Sequence, residues 1–510
     1  MRLNVLSSAT LIIAAGLYGC GGGDDSPPAT DTGMALAKLR CEDFLGQNIE
    51  GAAITIATTV PAAGDVPEHC RVRGELQQDL DFEVRMPTQW NRRTVFFGGG
   101  GFDGAIAGHS NTSNLSPDVP KRGYATMATN HGHNSNVTPG ATFATNVGML
   151  ADYGYLGVTR VVPPARAVMQ KMYGDAVKGT KNVYAGCSGG GRQGLIQAQR
   201  YPEVFDGIIA KAPANAYTPQ FLYYQKLAKQ LAQPGAALST AKVQAISNAV
   251  MAKCDALDGA TDNMIGRPEA CSFDPVELAC TGAETSSCLT PAQVTSARTF
   301  YASTSAAGGR YTWPAFPVGG ESPGWGNGST GAGAGLGMGY IQYMVAQNPS
   351  VDWLNLDPAA FTTRIDQLVG IIDAVDPDLS RFKAHGGKMI LWTGRSDWLI
   401  TAQNATDYYQ SVVQKAGGQA AANEFVEYYT SPSVQHCAGG TGADSMDLVG
   451  PMFEWLEKGI KPSTSTIVAN RATVPTGSSQ ATRPLCQYPK YPKYVSGDLN
   501  AAASFVCAAP

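Results

Sequence analysis

Apolar and polar positions follow one another along the chain in a rhythm that predicts strands alternating with helices. "FEVRMPTQW" (82–90) and "RRTVFFGGGG" (92–101) read as strands, the second running into four glycines. "YATMATN" (124–130) reads as a third strand and "HGHNSN" behind it as a loop. From Asp152 to Tyr173 the apolar spacing is helical. "KNVYAG" (181–186) is a short buried strand, "RQGLIQAQRYPEVF" (192–205) a helix and "DGIIAKAP" (206–213) the next strand. Such alternation predicts an α/β fold with a mostly parallel sheet covered on both faces.

The rhythm breaks after about Asn215. Up to about Asp373 there are helical pieces, two pairs of cysteines and the glycine-rich "GWGNGSTGAGAGLGMG" (324–339), with no regular alternation. It then resumes: "GGKMILWTG" (386–394) and "NEFVEYYTSP" (423–432) read as strands, "TAQNATDYYQSVVQKAG" (401–417) and "DLVGPMFEWLEKG" (447–459) as helices. The tail from about Arg471 reads as irregular. The expected division is therefore a catalytic domain in two parts, 37–215 and 374–510, interrupted by an inserted lid domain at 216–373.

The first residues have the pattern of a targeting segment. Arg2 precedes the apolar "ATLIIAAGLYGC" (9–20), too short to span a bilayer, and "GGGDDSPPATDTG" follows. The ending "LYGC" resembles a bacterial lipobox, which would make Cys20 a lipid anchor; an ordinary secretory signal is the alternative. Either way residues 1–20 form a leader, 21–36 a flexible linker, and the protein is exported, as an outer-membrane or periplasmic lipoprotein or in secreted form.

Composition agrees with export and narrows the partners. The chain has 510 residues, 59 of them glycine, a net charge of −4 and 15% charged residues, against roughly a quarter in ordinary globular proteins. No basic run exists to grip a phosphate backbone, which argues against nucleic acid as a partner. With Cys20 set aside, ten cysteines remain, an even number that suggests five disulfides in an oxidising compartment without fixing their pairing.

Candidate chemistry centres on "YAGCSGGGRQG" (184–194). Gly186-Cys187-Ser188-Gly189-Gly190 fits the nucleophile pattern G-x-S-x-G, between a strand and a helix. A sharp strand-to-helix turn leaves no room for neighbouring side chains and lifts the Ser188 hydroxyl above the sheet. It also aims the Gly189 N–H at a reacting carbonyl, where the helix N-terminus favours negative charge. A serine nucleophile needs a histidine base and an acid to orient it. Only His385 and His436 lie downstream. His385 precedes a strand, whereas His436 follows one, at the strand end where ligands gather. Asp397, directly after "KMILWTG", is the acid placed on the same side.

Cys187 precedes the serine and Cys437 follows the histidine. If the two pair, their Cα atoms stand roughly 5.5–6 Å apart, compatible with Ser–His side chains about 3 Å apart. The alternative is a free Cys187 acting as nucleophile itself.

In these elements the sequence resembles the tannases and fungal-type feruloyl esterases, a family that includes bacterial mono(hydroxyethyl)terephthalate hydrolases. "GCSGGGRQG", "GRSDWLI" and "QHCAGG" carry the resemblance in order, with "GGGGFDG", "CDALDGATDN" and "TRPLCQYPKYPKYVSGDLN", along nearly all of the chain after the leader. It implies an α/β-hydrolase fold with a lid and Ser188, Asp397 and His436 as the triad. It implies Gly101 as oxyanion donor beside Gly189, and the disulfides Cys187–Cys437, Cys41–Cys70, Cys254–Cys271, Cys280–Cys288 and Cys486–Cys507. Asp255, Asp258 and Asp262 crowd one turn and would repel unless a cation neutralised them; hard oxygen ligands suit calcium. By resemblance the carbonyls of Ala260 and Met264 complete that structural site, although the family more often has glycine where Asn263 stands and isoleucine where Met264 stands.

The expected function is a serine esterase acting on feruloyl, hydroxycinnamoyl or galloyl esters, with no redox or organic cofactor. The segment 311–363 has no lysine or arginine and carries Trp313, Phe316, Trp325, Tyr340, Tyr343 and Trp353, which suit flat neutral substrates. The terephthalate-monoester hydrolases are known for a lid arginine that grips a free carboxylate, and no counterpart is found here. The alternatives are such a monoester hydrolase, or a surface protein that binds polyphenol or carbohydrate without turnover.

Overall fold

The computed structural model describes residues 33–510 except 78, 107–118, 323, 330 and 473–479. The expected leader, Cys20 and most of the expected linker lie outside these residues. Ala35–Leu36, at the end of that linker, pair with Trp90 and Gln89, so the fold reaches back into it.

The main sheet has eleven strands among the described residues. In chain order they are β1 (Asn48–Ile49), β2 (Ala52–Val60), β3 (His69–Leu76), β4 (Leu80–Pro87), β5 (Thr94–Phe97), β6 (Ala125–Thr129), β7 (Asn182–Cys187), β8 (Gly207–Lys211), β9 (Lys388–Gly394), β10 (Val426–Ser431) and β11 (Cys486–Gln487). In space they run β11-β10-β9-β8-β7-β5-β6-β4-β3-β2-β1. Only the stretch from β10 to β6 is parallel. The other five pairings are antiparallel, so the expectation of a mostly parallel sheet holds for its centre alone. β2 alternates buried and exposed residues, the signature of a sheet with one solvated face. β8 and β10 are buried throughout, as parallel strands covered on both faces must be.

The two-residue period divides each central strand between two cores. Tyr184, Ile208 and Leu391 join a cluster with Val161, Val168, Leu195 and Val412. Val183, Ile209 and Trp392 join another with Met452, Phe453 and Trp455. Helices α1 (Gly157–Tyr173) and α2 (Gly189–Arg200) cover the first face. The described residues of 216–373 add no strand to the main sheet. They include α3 (Tyr217–Leu231) and α4 (Ala332–Gly339), the latter formed from the glycine-rich segment, and build a third cluster around Phe221, Trp313 and Tyr340. α5 (Ala402–Ala416) completes the first face, and α6 (Val449–Lys458) covers the second. The tail is more regular than expected: β11 pairs with β10, and Tyr491–Tyr494 pairs with Phe505–Ala508.

Five disulfides are present: Cys41–Cys70, Cys187–Cys437, Cys254–Cys271, Cys280–Cys288 and Cys486–Cys507. Bonds in that number are the chemistry of an oxidising compartment and point to export. Cys187 is bonded and is not the free thiol that a cysteine nucleophile requires.

Candidate active site

Ser188 stands between β7 and α2 with a positive φ of 62° and ψ −125°. The turn is so tight that a Cβ on Gly186 would meet the Gly190 carbonyl carbon at 2.6 Å, and one on Gly190 would meet the Gly99 oxygen at 2.6 Å. Ser188 N–H donates to the Lys211 carbonyl at the end of β8, 3.0 Å away, which ties the turn to the sheet. The expected helix 192–205 is shifted: it begins at Gly189 and ends at Arg200, so its N-terminus opens beside Ser188.

Asp397 lies three residues after β9, its side chain fully buried. Oδ1 accepts the N–H groups of Leu399 and Ile400, each at 2.8 Å. Oδ2 is 2.8 Å from His436 Nδ1. Because an ionised carboxylate only accepts, Nδ1 carries the proton and Nε2 is left as the free base. His436 follows β10 and is 13% exposed, enough to meet a substrate and too little to be well solvated. His385 is exposed, between the helical turn Ser380–Ala384 and β9, away from this group. The Cys187 and Cys437 Cα atoms are 5.9 Å apart, which brings the Ser188 and His436 loops side by side.

Ser188 and His436 line one cavity of about 990 Å³. It is lined by Gly98–Gly101, Cys187 and Cys437 and by the apolar Phe102, Leu336, Met338, Tyr343 and Leu399; no lysine or arginine lines it among the described residues. Gly101 has φ 57°. Its carbonyl accepts the Tyr153 and Tyr217 hydroxyls at 2.9 and 3.3 Å, which fixes the peptide beside it. A Cβ on Gly189 would meet the Gly101 oxygen at 3.3 Å, so the two glycines adjoin.

Of the six aromatics expected as walls, Tyr343 alone lines the cavity. Trp313, Phe316, Trp325 and Tyr340 are buried in the core of the inserted segment, and Trp353 packs against it. Trp325 stacks on Phe300 with ring centroids 3.9 Å apart. Large aromatic rings bury much area wherever they pack, so residue type alone does not separate a wall from a core.

Arg192 was not singled out by sequence reasoning, although it stands in the "GGGRQG" run. It is fully buried between the Tyr153 and Tyr217 rings, 4.9 and 5.0 Å from their centroids. It donates to the carbonyls of Tyr153, Gly154 and Ile372, each at 2.9 Å. One cation thus pins the two tyrosines that hold Gly101, and ties α2 to the end of the inserted segment.

The acidic loop is half-settled without a cation. Asp255 accepts the N–H groups of Asp262, Asn263 and Met264, Asp258 accepts that of Ala260, and Asp262 pairs with Arg483. Among the described residues no three His, Cys, Asp or Glu side chains converge as a ready-made metal site. Three carboxylates nonetheless meet only two cations among the described residues, Arg483 beside Asp262 and Asp258, and Arg471 beside Asp262. Burial, with Asp262 and Asp255 nearby, pushes Asp258 up to about 6. The donor set is all oxygen and carries excess negative charge, which fits a hard divalent cation.

A nucleophile-type turn after the central parallel strand β7, with an Asp–His pair beyond the ends of β9 and β10, defines the class: an α/β-hydrolase, here a carboxylic ester hydrolase. Residues 64–508 match the model of the family "Tannase and feruloyl esterase", and the chain belongs to it. It is 31% identical over 449 residues to the probable feruloyl esterase of Arthroderma benhamiae, covering 83% of this chain and 81% of that one. It is 29% identical over 530 residues to the mono(2-hydroxyethyl) terephthalate hydrolase of Piscinibacter sakaiensis, covering 89% and 87%. Among solved structures, an esterase from Aspergillus oryzae superposes with a TM-score of 0.83 at 25% identity, covering 92% of this chain and 99% of that one.

Proposed function

We propose that the protein is an exported serine esterase for neutral aromatic esters, feruloyl or galloyl in type, working through Ser188, His436 and Asp397. The observation that carries this is the Asp397–His436 pair opening into the same cavity as Ser188, with the two loops cross-linked at their bases. His436 Nε2 takes the Ser188 proton as the hydroxyl attacks the ester carbonyl, while Asp397 holds the tautomer and stabilises the imidazolium. The N–H groups of Gly189 and Gly101 receive the oxyanion; losing one such donor costs about 3–4 kcal/mol in the transition state. His436 then protonates the departing alcohol, and water, activated by the same imidazole, releases the acid.

The apolar walls, with no cation among the described residues that line the cavity, favour a neutral acyl group over a free carboxylate. The test compares methyl ferulate, methyl gallate and the terephthalate monoester on the purified protein, with Ser188→Ala as control. Turnover of a phenolic ester, abolished in the variant, is expected. Preference for the terephthalate monoester would overturn the substrate reading, and turnover surviving Ser188→Ala would overturn the triad.

Calcium is the cation for the Asp255, Asp258 and Asp262 carboxylates with the Ala260 and Met264 carbonyls, in a structural role away from the cavity. The inserted segment 216–373 acts as the lid, since α4 supplies Leu336 and Met338 to the cavity. Cys20 carries the lipid anchor, which the mass of the processed N-terminal peptide would reveal.

A further inference from the structure

The loop that ends in Gly101 continues into an acid that the mechanism above does not use. Asp103 lies in the same turn, its N–H donating to the Gly100 carbonyl at 2.9 Å. Its carboxylate is fully buried beneath the loop. Oδ2 lies 2.5 Å from where a Cβ on Gly99 would stand, so it is pressed against the loop backbone.

Two groups from other elements close on that oxygen. Gln193, five residues after Ser188 on α2, donates Nε2–H to Oδ2 at 2.9 Å. Its own amide oxygen accepts the Tyr184 hydroxyl, from β7, at 2.9 Å. His131, two residues past β6 and equally buried, brings Nε2 to 3.2 Å of Oδ2, at an angle short of a hydrogen bond. Asp103 Oδ1 is buried with no hydrogen-bond partner, an arrangement that costs free energy.

The backbone adds an independent observation. Asp103 has φ 46° and His131 φ 59°, the left-handed region that residues with a Cβ seldom adopt. Two such residues facing each other across a buried polar contact are the kind of strain that concentrates at functional sites. The first half of the loop is already fixed by backbone bonds, Gly98 N–H to Ala185 at 2.9 Å and Gly190 N–H to Gly99 at 3.0 Å. Asp103 acts on the other half, where Gly101 sits.

We propose that Asp103 is a positioning residue for ester hydrolysis: through Gln193 it locks the Gly98–Gly101 loop to the helix that carries Ser188, so that the Gly101 N–H stays aimed at the developing oxyanion. This rests on Ser188 as nucleophile and Gly101 as donor. A tie of this kind acts in the transition state and leaves substrate binding almost untouched, so it appears in kcat and hardly in KM.

The experiment uses p-nitrophenyl acetate and the full chain, with Asp103→Leu, Asp103→Asn, Gln193→Leu and the Asp103→Leu/Gln193→Leu pair, and melting curves for each. Asp103→Leu is expected to lower kcat about a hundredfold with KM within threefold. Asp103→Asn, which keeps an acceptor for Gln193, recovers to within about tenfold of the parent. The double variant is expected to lose no more than about threefold beyond Asp103→Leu, because both remove one bond. Should Asp103→Leu fail to fold, Gln193→Leu removes the same bond from the helix and carries the same expectation. A purely structural role would lower the melting temperature with kcat within threefold and no difference between Asn and Leu, and that result overturns the proposal. Ser188→Ala separates the two levels: inactive Ser188→Ala beside an unaffected Asp103→Leu defeats the positioning role alone, and active Ser188→Ala defeats the reading beneath it.

Discussion

Removing the Cys187–Cys437 bond should damage catalysis more than folding. The bond closes 250 positions of chain. The chain-entropy relation assigns such a closure about 5.5 kcal/mol, an upper figure because it neglects residual structure in the unfolded chain. Spread over the unfolding entropy of a chain this long, about 1 kcal/mol per degree, that is a fall in Tm of about 5 °C. The four other disulfides and the sheet hold the fold, so Cys187→Ala/Cys437→Ala remains native at 25 °C. Catalysis has no such reserve. The bond joins the residue before Ser188 to the residue after His436, and each of these loops leaves a different strand. A displacement of about 1 Å between hydroxyl and imidazole costs on the order of a hundredfold in rate. The assay is kcat and KM for an activated ester beside a melting curve, for the double variant and for the parent treated with reductant. A kcat within threefold of the parent, in a variant shown by mass to lack the bond, would refute the reasoning that the bond sets the catalytic geometry.

Other expectations follow from the same geometry. Asp397→Asn keeps the shape and loses the acceptor that fixes the His436 tautomer, so kcat should fall by up to about four orders of magnitude with KM little changed. Chelator should lower Tm by about 3 °C if calcium is held at a hundred times its Kd, added calcium should restore it, and metal analysis should find one ion per chain. Asp373 is buried, accepts the N–H and hydroxyl of Thr218, each at 3.1 Å, and is pushed by burial up to about 7. A carboxyl raised in the folded state gives stability that is complete below pH 3.8 and lost as pH rises through about 7, here on the order of 4 kcal/mol. Asp373→Asn should therefore flatten the fall in stability between pH 4 and 7, as measured by denaturant midpoints.

The centre of the fold is legible because its strands are buried on both faces and read as short continuous apolar runs. The antiparallel half is legible only at β4: β2, "AAITIATTV", holds its register through alternation of small residues that carry little hydrophobic signal. β11 is two residues long and exists because β10 offers it an edge. The proposed triad of Ser188, Asp397 and His436 is legible because each residue sits just beyond a strand end in the order such a site requires. Asp103, His131 and Gln193 carry no such signal: the loop, the strand end and the helix that bring them together are remote in sequence. The aromatic residues of the inserted segment illustrate the opposite error. Their abundance suggested a substrate wall, whereas an insertion of this size first needs a core of its own.

Part of the backbone strain gathers at one place. Asp103, His131, Ser188 and Cys437 all have φ between 46° and 65° and all lie in loops that leave the C-terminal ends of the parallel strands. Each costs on the order of 1–3 kcal/mol and persists only where its surroundings over-determine it. Those surroundings differ from one residue to the next. Ser188 is held by the Lys211 carbonyl, Cys437 by its disulfide, Asp103 by Gln193 and His131 by the Thr129 hydroxyl. A serine side chain must stand clear of the sheet to attack, and an imidazole must reach it from another strand. Both demands bend the chain away from regular geometry at the same edge. The rigid parallel centre, with α2 and the cross-linked loops, makes that bending tolerable, which is why stability and catalysis in this protein meet at one rim of the sheet.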